Sequence, residues 1–148
     1  MNTRKKLAFI FGALLFIALI PVWIYQTKVA KDTEDLEALL ALKTDLIRVN
    51  TPARDQIITS PLEVSGEARG VWFFEASFPL RLLDEKRQEI AVTIATAQGP
   101  WMTEDFVPFK ALLTFETDAK RGFLVFIKDN PSDLPEHDDA FFLPIRFQ

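Results

Sequence analysis

Between Val71 and Leu83 the even positions Trp72, Phe74, Ala76, Phe78, Leu80 and Leu82 are apolar, while Glu75, Ser77 and Arg81 fall on odd positions. A period of two belongs to a strand with one buried and one wet face. The pattern therefore predicts a central strand with Trp72, Phe74 and Phe78 in the core and Phe73 and Glu75 on the opposite face. Leu62, Val64, Gly66 and Ala68 alternate in the same way with Glu63, Ser65, Glu67 and Arg69, and Phe141, Leu143, Ile145 and Phe147 repeat it near the C-terminus. Ile90, Val92 and Ile94 alternate with Ala91, Thr93 and Ala95, and Phe123 to Ile127 is apolar on both faces. Asp84-Glu85-Lys86-Arg87 and Thr117 to Gly122 supply turn chemistry between these runs. The expected fold of residues 46–148 is an all-β, antiparallel sandwich of about seven strands.

Upstream the pattern is different. Leu7 to Tyr25 is nineteen residues without a charge, preceded by Arg4, Lys5 and Lys6. A helix of that length spans roughly 28 Å at about 1.5 Å per residue, close to the thickness of a bilayer core. The basic residues before it place residues 1–6 in the cytoplasm as a short tip and the rest outside. A cleaved signal peptide has the same opening, but no small-x-small site follows: Val22-Trp23-Ile24-Tyr25-Gln26 is bulky. An uncleaved, single-pass membrane anchor over Leu7–Tyr25 is therefore expected. Leu36, Leu39, Leu40, Leu42 and Leu46 then recur at helical spacing after an acidic start, which predicts a helical stalk over 26–45.

Composition narrows the chemistry. The chain is 49% hydrophobic with 14 Phe, enough for a packed core, and has no cysteine, which removes disulfides, thiolate metal sites and a Cys nucleophile. Its net charge is −4, but the first 25 residues hold three bases and no acid, so residues 26–148 carry 14 bases against 21 acids, a net of −7. An acidic body repels phosphate backbones, and nucleic-acid binding is not expected.

Several segments together resemble the immunoglobulin-like domain family of bacterial spore germination. They are Ile47-Arg48-Val49 with Thr51-Pro52, Ser60-Pro61 through Ala68, Trp72-Phe73-Phe74-Glu75-Ala76, Gly99-Pro100-Trp101-Met102-Thr103, Phe109-Lys110-Ala111, Asp129-Asn130-Pro131-Ser132 and Leu143-Pro144-Ile145. The resemblance covers about residues 46–148. It implies an immunoglobulin-like sandwich on the outer side of a bacterial membrane and supplies no ligand.

Candidate chemistry is sparse. No phosphate-cradling loop, cofactor motif or Gly-x-Ser-x-Gly elbow occurs, so no catalytic, cofactor or metal residue is expected. Phe73, Glu75, Trp101, Met102, Asn130 and Ser132 are the candidates for an interaction surface, with Trp101-Met102 either a recognition patch or a plug at one end of the sandwich. The expected function is a non-catalytic binding or scaffolding module of the cell envelope, its partner an envelope protein or a wall polymer. One alternative is a hydrolase or cation-dependent enzyme using the acidic 129–139 loop, which requires His137, Asp129, Asp133 and Glu75 to converge. Another is a structural subunit of a membrane complex, marked by an exposed apolar patch around Phe73, Leu124, Phe126 or Phe142.

Overall fold

The computed structural model describes residues 43–148. The expected tip, the anchor Leu7–Tyr25 and the stalk 26–45, save its last three residues, lie outside the described residues. Among those described, no helix is long and apolar enough to cross a membrane. Eight strands are present: β1 (Ile47–Thr51), β2 (Ile57–Ile58), β3 (Leu62–Arg69), β4 (Ser77–Asp84), β5 (Glu89–Ala97), β6 (Phe106–Leu113), β7 (Arg121–Ile127) and β8 (Ala140–Phe147). The domain is all-β, as its alternating pattern predicts.

The strands form one hydrogen-bonded sheet in the order β1-β3-β6-β5-β4-β7-β8-β2. Its joint between β6 and β5 is only two pairs wide, Thr96↔Lys110 and Ala97↔Phe109. There the sheet doubles back on itself. In a flat sheet β6 and β7 would lie about 14 Å apart, yet the Phe109 ring of β6 is 5.9 Å from that of Phe126 on β7 and 5.0 Å from that of Phe78 on β4. The two layers, β1-β3-β6 and β5-β4-β7-β8-β2, thus enclose one core. Gly66, opposite Phe109 in the β3–β6 ladder, makes room for that ring: a Cβ there would lie 2.7 Å from the Phe109 Cζ. All pairings are antiparallel except β2–β8, which is parallel.

One expectation needs correction. The strand expected to start near Val71 starts at Ser77. Gly70–Trp72 forms a 3-10 turn closed by the Phe73 N–H on the Gly70 carbonyl at 3.1 Å, and a hairpin turn follows. Face parity is reset by these turns: Phe73 is buried against Phe78, with ring centroids 5.2 Å apart, and Phe74 is exposed. In β5 the alternation leaves the face open, and the larger side chains turn outward. Val92 and Ile94 are more than half exposed, while Ala95 is fully buried. The small side chains turn inward because β6 crosses behind β5 at close range, where the Thr93 hydroxyl donates to the Leu112 carbonyl at 3.1 Å.

Candidate recognition surface

Three connections meet at one end of the sandwich. The first joins β3 to β4 and carries the 3-10 turn and a two-residue hairpin. Phe74 and Ser77 exchange backbone hydrogen bonds at 3.0 Å across Glu75 and Ala76, both left-handed with φ of 50° and 64°. Positive φ at both central residues is the geometry that usually selects Asn-Gly. Glu-Ala adopts it here at a conformational cost. The second connection is 98–105, and the third is 128–139.

Backbone contacts hold the three together. The Ala97 N–H donates to the Ala76 carbonyl at 2.8 Å, the Gly70 N–H to the Asp105 carbonyl at 3.2 Å, and the Asp129 N–H to the Trp72 carbonyl at 3.1 Å. Gly70 is a contact position as well: a Cβ would lie 1.9 Å from the Thr103 carbonyl oxygen and 2.4 Å from that of Trp101. Only a residue without a side chain lets the second loop lie against the first turn. Trp72, fully buried beneath these loops, has no acceptor for its indole N–H among the described residues.

The result is an apolar tip with an acidic rim. Met102 is 84% exposed, Val71 57% and Phe74 40%. Glu75, Glu104, Asp105, Asp133 and Glu136 are exposed on the same three loops, and among the described residues none is in an ion pair. The nearby cations are engaged. Lys43 pairs with Asp139, the Lys128 ammonium donates to the His137 carbonyl at 3.0 Å, and Arg69 donates to the carbonyls of Asp45 and Glu104 while lying 4.1 Å over the Phe106 ring. The surface field at this end is negative.

Five of the six candidate residues fall on these three loops with some exposure; Phe73 does not, and belongs to the core. Glu75 sits at the hairpin apex, without a side-chain hydrogen bond or ion pair among the described residues, rather than on the wet face of a strand. Trp101 is half-buried and Met102 projects, so this dipeptide is part plug and part patch. Val71 and Phe74 were not expected here, because strand periodicity gives no hint of the turns that expose them.

Asn130 and Ser132 organise the third loop. The Asn130 amide donates to the Leu134 carbonyl at 2.9 Å and to Asp138 Oδ1 at 2.7 Å, and its Oδ1 accepts from the Ser132 N–H and hydroxyl at 3.2 and 2.6 Å. Ser132 Oγ is also 3.0 Å from His137 Nδ1. A hydroxyl has one proton. With that proton on Asn130 Oδ1, Nδ1 is the donor to Ser132, so the imidazole is not set to deprotonate the serine as a nucleophile pair requires. The contact is a loop staple. Replacing Asn130 by alanine is expected to release the loop, raising protease cleavage within 130–138 about tenfold, the equivalent of about 1.4 kcal/mol of lost local bonding, with the global unfolding midpoint nearly unchanged. Limited proteolysis beside a thermal melt measures both.

The convergence that the hydrolase alternative requires is not found: among the described residues no three His, Asp or Glu side chains are grouped to hold a metal ion. The family model described as the immunoglobulin-like domain of bacterial spore germination matches residues 46–134 and ends before β8. No curated protein and no solved structure matches the chain.

Proposed function

Because the chain belongs to the immunoglobulin-like domain family of bacterial spore germination, we propose that it is a membrane-anchored, extracytoplasmic module that recognises a partner at the bacterial cell envelope and performs no catalysis itself. The observation that carries this is the joined loop end, where Val71, Phe74 and Met102 stand exposed on loops that also carry exposed carboxylates without an ion pair among the described residues. Met and aromatic side chains are favoured in contact surfaces, and a charged rim sets the choice of partner. An acidic rim suits an envelope protein with a basic, apolar-bearing surface, or a wall polymer with free amino groups. The anchor rests on the uncharged Leu7–Tyr25 segment and the bases before it. A role in germination rests on the family alone.

The test is photocrosslinking of the full-length chain in its native membrane, with the photoreactive residue at Met102 or Phe74. Discrete adducts of defined mass are expected from both positions. Ile57 is the control: it is equally exposed but lies in β2, beside the opposite end of β8. The same adducts from Ile57, or none from Met102 and Phe74, would overturn the proposal.

A further inference from the structure

The larger layer is apolar on both faces. Leu80 and Leu82 of β4, Leu124 and Phe126 of β7 and Leu143 of β8 point into the core, so the alternate positions point away from it. Those outward positions line up across the ladders as Leu83–Phe123–Pro144, Arg81–Val125–Phe142 and Ile127–Ala140. Of the residues expected to mark an exposed apolar patch, Phe73, Leu124 and Phe126 are buried and Phe142 is exposed; on the outer face beside Phe142, Phe123 and Ile127 are half-buried and Val125 is 4% exposed. An antiparallel sheet with a solvated outer face normally alternates polar residues there, and two apolar faces are usual for a sheet covered on both sides.

The charges on this face are arranged end to end. Arg81, in its middle row, is 3.5 Å from Glu89. Arg87, at the β4–β5 hairpin, lies over the rings of Phe142 and Phe123 at 5.1 and 5.8 Å, and no carboxylate among the described residues is within ion-pair distance of it. Asp138 stands at the other end, just before β8, and both residues line one groove of about 660 Å³ along the face.

We infer that this face is the contact surface for a second copy of the chain. A face with a cation at one end and a carboxylate at the other matches itself when two copies meet with their strands antiparallel about a twofold axis, since Arg87 of each then reaches Asp138 of the other. Sheets packed in this way lie about 10 Å apart. The axis crosses the Arg81–Val125–Phe142 row, so Phe142 meets its own counterpart. Arg81 does too, each copy neutralised by its own Glu89. The groove on this face holds Glu89, Asp138 and Asp139 beside Arg81 and Arg87; Glu89 is paired with Arg81 and Asp139 with Lys43, so Arg87 and Asp138 are its charges without an ion pair among the described residues. The contact shares Asp138, which accepts from Asn130, with the third loop, and uses none of Val71, Phe74 and Met102.

The chain has no cysteine, so introduced thiols report proximity without background. In the full-length protein in detergent micelles, Phe142→Cys is expected to give a disulfide-linked dimer on mild oxidation. Leu112→Cys, exposed on the other layer, is expected to stay monomeric. Sedimentation of cysteine-free variants supplies the second arm. Arg87→Glu and Asp138→Arg should each weaken the dimer tenfold or more, and the double exchange should restore it, with thermal melts confirming that all variants fold. A monomeric parent, equal crosslinking from Leu112→Cys, additive losses in the double exchange, or a different protein occupying the face would each overturn the inference.

Discussion

Replacing Phe109 by alanine is expected to lower the unfolding free energy by about 3–5 kcal/mol. A domain of this size has about 5–15 kcal/mol in all, so the variant should be partly unfolded near body temperature. The magnitude follows from position. Phe109 is 1% exposed and stands edge-on to Phe78 and tilted to Phe126, rings that belong to the opposite layer. Its loss removes buried area and leaves a hole where the sheet folds over, with Gly66 opposite and no side chain there to fill it. Edge-to-face pairs add about 0.5–1.5 kcal/mol each beyond area. Urea titration measures the effect as a lower midpoint at unchanged slope. Leu112, in the same strand but 59% exposed, is the control, and its alanine variant should stay within about 0.5 kcal/mol of the parent. Equal effects at the two positions would mean that the layers are not held together at Phe109.

Gly70→Ala is expected to act on the recognition surface more than on the core. The added methyl would meet the carbonyl oxygens of Thr103 and Trp101 at 1.9 and 2.4 Å, and backbone atoms cannot yield by changing rotamer. No glycine among the described residues has positive φ, so the cost comes from contact alone, about 1–3 kcal/mol of overpacking. The 101–105 loop must lift from the Gly70–Trp72 turn. Amide exchange at Gly70, bonded to the Asp105 carbonyl, should accelerate, and adducts from a photoreactive residue at position 102 should fall at least several-fold. Gly99→Ala, in the same loop with nothing within 4 Å of its added Cβ, should do neither. A Gly70→Ala protein that crosslinks like the parent would show that the two loops need not touch for recognition.

Most strands were legible in the sequence because strict alternation survives wherever one face is buried: β3 and β8 lie close to where their patterns put them. The misplaced start of β4 has a specific cause. Trp72-Phe73-Phe74-Glu75-Ala76 is apolar enough to pass for strand, and its turn uses left-handed Glu75 and Ala76 where Asn-Gly would have announced a hairpin. That one miss moved Phe73 from the surface to the core and hid Val71 and Phe74. In β5 the period was legible and its direction was not: Val92 and Ile94 turn out and Ala95 turns in, where the Thr93 hydroxyl bonds the Leu112 carbonyl of β6. The loop candidates Glu75, Trp101, Met102, Asn130 and Ser132 came from motif residues, and their meeting at one end depends on contacts between the β3–β4 turn and residues far along the chain.

The parallel pair of β2 with β8 carries a consequence for timing. Ile57 and Ile58 wait for Arg146 and Phe147, so the earliest part of the domain is finished by its latest. While the chain emerges N-terminus first, β3 can pair with β6 and β4 with β5, but β7 and β8 must both arrive before Leu80, Leu82 and Phe126 are covered. Until then the growing domain shows the surface that makes unfinished β proteins prone to pair with the wrong strand. For the extracytoplasmic module proposed above, that exposure would fall on the far side of the membrane, where folding depends on the last strand and on whatever factors protect a strand edge there.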